Sequence, residues 1–597
     1  MPQTFAAKPN HLFEGWKLNN LQLEIKTRNL DAFLVPKVDI YRGETLADCD
    51  ERLAWLTGFT GSTGLLAISL DKAVLFVDGR YALEARTTLP GLFEVCSFTN
   101  KRIVKWLTKN LPDGGQVGYC GLFHSVSEVK YLKNKLKKVG INLVSTNNLV
   151  DDIWKEKPPP PVSEIYYYPE DLAGETDQNK RLRISREIKL SGASALLITN
   201  PGSIGWLLNI RGNDIPYTPI VHALAILYSS GDVDLFVDPG KLPRNQNIEI
   251  DRGIRVIPHR EFETSLGRVE GTIQIDPETT PQRYHDILRN SCKVKLHADP
   301  CLAARAHKNT TQIMHCKDVQ TRDAVAFVEF LSWFFNHPRQ TDLTEIDLSL
   351  KLWEFRQKQP GIMSPSFEAI VGSGPNGAIV HYRVKENTNR RLNNGDLILI
   401  DSGAQYIEGT TDLTRTICIG TPTRKQQMDF TLVLKSLISV SEAKWEVGSS
   451  GKFIDKFARI ALKKVDEDYN HGTGHGVGQF LEVHEGPFRL SKKSTKPIHD
   501  NIILSLEPGL YREGEYGIRI ENLAVTTSVS NTNNDNQQYC FETLTHVPID
   551  LSMILPEKLT HEEINWFNRY HDETYSRLYP LLSTEAQAWI MKACQPL

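Results

Sequence analysis

Residues 396–416 read DLILIDSGAQYIEGTTDLTRT. An apolar run of strand-forming residues delivers Asp401, and after a turn-like SGAQ and a second strand-like stretch Asp412 arrives among threonines. Neither aspartate has a lysine or arginine immediately beside it. Burying an unpaired carboxylate is costly, so each requires a cationic partner or a metal from elsewhere in the chain. The stretch therefore predicts short buried strands that end in functional carboxylates.

Further candidates lie on either side. NGAIVHYR carries His381, HGTGHGVG carries His471 and His475, LEVHEGP carries His484, and LSLEPGLYREGEYGIRIENLAV carries Glu507 and Glu521. Each has an ordinary reading on its own. His471 and His475 have the spacing of a zinc-binding helix, but the Gly-Thr-Gly between them argues for loop or strand. A histidine beside glycine is more often structural; Glu507 could begin the Pro-Gly turn, Glu521 could pair at the surface, and Asp401 could cap SGAQ. Taken together these readings lose force. Four carboxylates converging without a cation would have to be partly protonated. An oxygen-rich set with imidazole suits a hard or borderline divalent ion, manganese better than a thiolate-seeking metal. Four carboxylates exceed the needs of one small ion and point to a two-metal centre.

The rest of the chain sets the frame. It has 597 residues, room for three to four domains, with 69 basic and 72 acidic residues and a net charge of −3. That balance offers no attraction to nucleic acid or to an anionic membrane. Hydrophobic residues make up 40% and charged residues 24%, an ordinary globular composition. No charged start followed by an apolar stretch resembles a secretion signal, and no apolar run reaches the ~18 residues that span a bilayer. Nine scattered cysteines without a CxxC pair argue against a disulfide framework and for the cytoplasm.

PPPP at 158–161 reads as a stiff linker. Before it, GLLAISL and KAVLFVDG are strand-like and YLKNKLKKVG is a basic, solvated helix. After it, ALLITN, ALAILYSS and VDLFVDPG alternate with a helix at KRLRISREIKL, which predicts a second α/β domain and a duplication. QTRDAVAFVEFLSWFF has helical periodicity and opens a third segment that holds all the candidate ligands. In the tail, Trp566, Phe567 and Tyr570 predict a helix docked by its aromatic stripe.

The blocks DSGAQY, GTTDLTRT, HGTGHGVG, VHEGP, SLEPG and GIRIEN resemble the aminopeptidase P (Xaa-Pro aminopeptidase) family of pita-bread metallopeptidases, which also include methionine aminopeptidase and prolidase. ERLAWLTGFTGSTG and VDGRYALEA look like a first creatinase-like domain, and IGWLLNIRGNDIP like a second. The order of the blocks, the Asp401–Asp412 gap and the Glu507–Glu521 gap agree with the long, three-domain members. The fold implied is α/β, with α+β character in the catalytic domain: creatinase-like domains at 1–160 and 161–315, a pita-bread domain at 316–540, and a C-terminal extension at 541–597.

The resemblance also implies roles. Asp401 would chelate one divalent ion, Asp412 and Glu521 would bridge two, and His475 with Glu507 would complete the coordination of the other ion. A hydroxide held between two manganese ions would attack the scissile carbonyl while Glu507 handles its proton. His381 and His484 would hold the substrate and steady the oxyanion, and His471 would line a proline pocket. Arg519 would orient substrate or ligand, and Arg80 would contact the peptide. One departure is the valine of HYRVKE, where some relatives have proline. The resemblance implies a homodimer acting on peptides with proline in second position. Its rivals are a prolidase cleaving Xaa-Pro dipeptides and an inactive peptidase fold used for binding.

Overall fold

The computed structural model describes residues 3–6, 11–243, 253–529 and 537–597. Contacts divide the chain into two units: Met1–Ala6, Asp171–Gly174 and Leu302–Leu597 form one, Ala7–Glu170 and Glu175–Cys301 the other.

The unit that begins at Ala7 holds two six-stranded sheets. In the first, β1 (Ala32–Pro36), β2 (Gly64–Ser69), β3 (Ala73–Val77), β4 (Phe93–Ser97), β5 (Gln116–Cys120) and β6 (Asn142–Thr146) stand in the order β4-β3-β2-β1-β5-β6. In the second, β7 (Ala195–Ile198), β8 (Leu224–Tyr228), β9 (Val233–Val237), β10 (Ile254–Pro258), β11 (Thr272–Ile275) and β12 (Lys293–Leu296) stand in the order β10-β9-β8-β7-β11-β12. Each sheet has the same two antiparallel pairs at its centre, and its other neighbours run parallel. One topology is thus used twice, as the repeated alternation predicts. Strand composition explains the layering. Phe33 and Val35 of β1 enter one core with Leu66 and Ile68, while Ala32 and Leu34 enter another with Leu65 and Ala67. Both faces of the sheet are covered, so its strands are apolar on both faces. The prolines at 158–161 lie in a stretch without helix or strand, as expected.

In the other unit, the helix Thr310–Asn336 starts at a capping box between Asn309 and Gln312. It buries Ala324, Phe327, Val328 and Leu331 in a core shared with Ile398 and Ile400. Those isoleucines belong to the antiparallel sheet β13-β14-β15, formed by Ile370–Ser373, Leu397–Ser402 and Leu413–Cys418. A larger antiparallel sheet has the order β16-β23-β22-β19-β17-β18. Its members are β16 (Trp445–Glu446), β17 (Gly474–Gly476), β18 (Glu485–Leu490), β19 (Ile503–Leu506), β22 (Asn522–Val529) and β23 (Gln538–Thr543). Between β19 and β22 the chain makes a hairpin, β20 (Gly509–Arg512) with β21 (Tyr516–Arg519). Helices Arg424–Ser441 and Gly451–Lys463 share a core with this sheet through Phe430, Leu434, Ile454 and Ala458 against Leu504, Leu506 and Ala524. The tail helix His561–Leu578 joins the same core through Trp566, Phe567 and Tyr570, the stripe read from the sequence.

Candidate metal centre

The smaller sheet brings the two aspartates to one place. Asp401 is the fifth residue of β14 and lies on the face of Leu399, while Asp412 immediately precedes β15, which pairs with β14. β15 is also stitched to the segment that carries Glu521. The Glu521 backbone N–H donates to the Thr414 carbonyl at 3.1 Å, and the Thr414 hydroxyl donates to Glu521 Oε2 at 2.7 Å. Glu521 is 1% exposed, so a surface ion pair is ruled out for it.

The larger sheet supplies the histidine. A Cβ on Gly474 would stand 1.8 Å from the Ser505 carbonyl oxygen, and one on Gly476 2.5 Å from that of Glu485. Only glycine at both positions lets β17 approach its neighbours this closely, which explains the glycines around His475. The His475 backbone N–H donates to Ser505 Oγ at 3.0 Å, and that hydroxyl donates to Glu507 Oε1 at 3.3 Å. His475 Nδ1 sits 3.0 Å from the Gly476 carbonyl, a partner to which it can only donate. Its Nε2 faces Asp412 Oδ2 at 3.5 Å and Glu507 Oε1 at 3.6 Å. Ligand atoms of Asp412, His475 and Glu521 lie within 4.8 Å of one another.

Lone pairs of an imidazole and three carboxylates pointing at one space repel unless a cation lies between them. Burial, and then the charges of Glu521, Asp401 and Glu507, push Asp412 well above the usual carboxylate range. Burial, and then Asp401 and Glu507, do the same to Glu521. Asp401 adds a buried Oδ1 with no hydrogen-bond partner. A donor set of carboxylate oxygens and one imidazole, with a buried carboxylate oxygen left without a hydrogen bond nearby, fits divalent ions held by oxygen and nitrogen. Asp401 also answers the other half of the question its sequence raises. Its Oδ2 is ion-paired to the buried guanidinium of Arg519, so it has a cationic partner and a spare oxygen for a metal.

Arg519 extends this arrangement. Its Nη1 donates to the Tyr511 hydroxyl at 2.7 Å, its Nη2 to the Val380 carbonyl at 3.3 Å, and its Nε to Thr414 Oγ1 at 3.3 Å. Tyr511 in turn stands 2.8 Å from His471 Nε2, while His471 Nδ1 is 2.7 Å from the Gly472 carbonyl. His471 Nδ1 is 3.9 Å from Glu507 Oε2. The His484 ring packs edge-on against His475 with centroids 4.3 Å apart. His381 is half-buried between Val380, whose carbonyl Arg519 holds, and the buried Tyr382. Arg80 belongs to the other unit, where its Nε donates to Asp78 Oδ2 at 3.0 Å and its Nη1 lies 3.8 Å from Glu44.

Sequence reasoning missed Tyr511 and Arg415. Tyr511 sits within the SLEPGLYR block on the strand after Glu507, but an uncharged side chain gave no electrostatic cue. Arg415 lies in the opening stretch itself. Its buried guanidinium donates to the Glu521 carbonyl at 2.7 Å, to Asn522 Oδ1 at 2.9 Å and to the Tyr570 hydroxyl at 2.7 Å. The C-terminal helix is thereby tied to the backbone that presents Glu521.

Fold and site together define a metallohydrolase centre built on a creatinase-type frame. Residues 17–153 and 156–312 match models of the creatinase/prolidase N-terminal domain, residues 315–528 match metallopeptidase family M24, and residues 537–597 match its C-terminal region. Aminopeptidase P2 of Arabidopsis thaliana is 34% identical over 95% of this chain and 86% of its own length. A probable Xaa-Pro aminopeptidase P of Aspergillus fumigatus is 32% identical over 97% of this chain and 92% of its own. An X-prolyl aminopeptidase of Caenorhabditis elegans, described as a cytosolic enzyme with a di-nuclear active site, superposes with a TM-score of 0.92. It is 30% identical and covers 98% of this chain and 99% of its own. The chain belongs to metallopeptidase family M24, with two creatinase-type N-terminal domains ahead of the peptidase domain.

Proposed function

We propose that this protein is a metal-dependent aminopeptidase that hydrolyses the bond between the N-terminal residue of a peptide and a penultimate proline. The observation that carries the reading is the convergence of Asp412, Glu507 and Glu521 on His475, with the charge of Asp401 acting on Asp412 and Glu521, in a chain that aligns over nearly its whole length with aminopeptidases P. These five residues would hold two divalent ions, as in the di-nuclear nematode enzyme, with manganese the best match to so oxygen-rich a set. When bound, such a pair acidifies water and polarises a carbonyl.

The protein's own groups do the rest. Glu507, beside the ligand space, accepts a proton and passes it toward the leaving imino nitrogen. His381 and His484 donate hydrogen bonds to the peptide carbonyl as it gains charge. Both His471 nitrogens are engaged, with Tyr511 and the Gly472 carbonyl, so His471 serves as a fixed wall of the proline pocket. Arg519 holds Asp401 and Tyr511 in place. The domain limits at 160, 315 and 540 belong to this reading and lie close to the breaks between the family models. So do cytoplasmic residence, supported by the absence of any disulfide among the nine cysteines of the described residues, and a homodimer, which light scattering tests.

Purified protein with added Mn²⁺ should release arginine from Arg-Pro-Pro and leave Arg-Ala-Ala nearly untouched. Proline at the second position has a rigid apolar ring and a nitrogen without hydrogen, features that a shaped pocket selects. Equal turnover of the two peptides would overturn the assignment. Turnover of Xaa-Pro dipeptides alone would favour prolidase, and none at all an inactive binding fold.

Two variants test the substrate contacts. His484→Ala should lower the rate by ~10²–10³-fold, the usual loss for one oxyanion donor, with metal content retained. Loss of an ion, read by elemental analysis, would place His484 among the ligands instead. Arg80→Ala should raise KM for tripeptides and longer substrates without changing metal content or Tm. If Arg80 serves only its ion pair with Asp78, kinetics will be unaltered at every peptide length.

A further inference from the structure

The loop between β13 and β14 carries His381, and its hydrogen bonds converge on one residue outside it. Glu345 opens the helix Glu345–Arg356 behind the capping residue Thr344, and its carboxylate is fully buried. Glu345 Oε1 accepts from the Ser373 backbone N–H at 2.7 Å, from Ser373 Oγ at 3.0 Å and from Asn376 Nδ2 at 3.0 Å. Oε2 accepts from the Tyr382 hydroxyl at 3.0 Å and from the Arg390 backbone N–H at 3.1 Å. Ser373 stands where the loop leaves β13, Asn376 and Tyr382 follow within it, and Arg390 lies toward its end. All these donors are neutral. The Arg390 guanidinium is turned away, to Asp396 Oδ2 at 2.8 Å and the Ser373 carbonyl at 3.1 Å.

A buried carboxylate without a cationic side chain persists only where enough donors converge to replace its hydration. The helix N-terminus on which Glu345 sits adds a favourable field. The consequence for the loop is mechanical. Four of its residues share one acceptor, so Tyr382 cannot shift without losing that bond, and His381 is its covalent neighbour. On the other side of His381, the Val380 carbonyl accepts from Arg519. Phe5 adds a third hold: its carbonyl accepts from the Glu386 N–H at 3.0 Å, and its ring packs in a cluster with Tyr382 and Val384.

We propose that Glu345 is a positioning residue for the peptidase reaction: its buried carboxylate locks the 373–390 loop so that the His381 imidazole meets the substrate in register. This rests on the reading of His381 as a substrate contact. A displacement of about 1 Å in a positioned group is enough to cost ~10²-fold in rate. Glutamine at 345 keeps the volume but turns an NH₂ toward donors that need an acceptor.

The test is a double-mutant cycle on the metal-loaded full-length enzyme, with Xaa-Pro-Pro peptides as substrate. Glu345→Gln should lower kcat/KM by ~10–100-fold with both metal ions retained, and should alter kcat and KM in the same proportion as His381→Ala does. The variant carrying both changes should be no slower than His381→Ala alone, because a misplaced loop is harmless once its imidazole is gone. If the losses instead multiply, Glu345 supports folding generally and the proposal falls. A His381→Ala enzyme with full activity would overturn the role of His381 first, and the proposal with it. Should Glu345→Gln not fold, Tyr382→Phe, which removes one hydroxyl and keeps the ring packed, carries the same cycle with the same two outcomes.

Discussion

Asp412→Asn should abolish turnover, with a loss greater than ~10³-fold, beyond the cost of any single oxyanion donor. Asp412 is 4% exposed, its Oδ2 faces His475 Nε2, and its neighbours within the ligand space are Glu521 and Glu507. An amide has one oxygen instead of two and no charge, so it cannot serve two cations at once. The folded protein should tolerate the change. In the absence of metal, Asp412 is already pushed toward its neutral form by burial and by three neighbouring carboxylates, and an amide relieves that repulsion. The expected combination is therefore unusual: Tm of the metal-free variant equal to or above that of the parent, metal content reduced, activity gone. An active Asp412→Asn enzyme with its full metal complement would contradict the bridging role. A variant that fails to fold would mean that the aspartate is needed for the β14–β15 connection itself.

Removal of the metal should make the centre's stability fall as pH rises, a dependence that bound metal suppresses. In the metal-free fold, Asp412 and Glu521 hold protons that the unfolded chain releases in the ordinary carboxylate range. The native state then binds more protons than the unfolded state, so their contribution falls as pH rises from that range toward the raised values. With metal bound, the same groups must be ionised in the native state, and uptake of metal releases their protons. Stabilisation by metal should therefore grow as pH rises. The measurement is the difference in Tm between Mn²⁺-loaded and chelated protein from about pH 5.5 to 8.5, at fixed free metal. Taking a difference removes groups common to both forms, such as His546 and His571, which burial pushes down to about 3. Parallel curves would show that the carboxylates do not exchange protons for metal.

Much of this site is legible in the chain because its parts are local. Asp401 follows an apolar run and Asp412 immediately precedes the next strand, so strand periodicity and the cost of buried charge pointed to a cation. The glycines around His475 ruled out a helix from composition alone, and the strand Gly474–Gly476 is what the structure contains. The apolar periodicity of the helix Thr310–Asn336 and the aromatic stripe of His561–Leu578 were likewise within reach of a window of a few residues.

Other decisions belong to tertiary structure, because they depend on which residues distant in sequence come to share a face. His471 and His475 are similar in their sequence surroundings. Yet the register of β17 against β19 turns His475 toward the carboxylates, while His471 meets Tyr511 on the β20–β21 hairpin. No local pattern pairs Asp401 with Arg519, Arg415 with Tyr570 of the tail, or Glu345 with the loop that carries His381. Residue types and their order determined that a metal centre exists and which groups can bind ions. Strand register and the close packing of glycine-lined backbones decided which imidazole faces the carboxylates, which arginine pairs with Asp401, and which buried carboxylate the loop around His381 is bonded to. The reason is physical: the need of a buried charge for a partner can be read from its immediate neighbours, whereas the partner's identity is fixed only when the folded chain brings it within hydrogen-bonding distance.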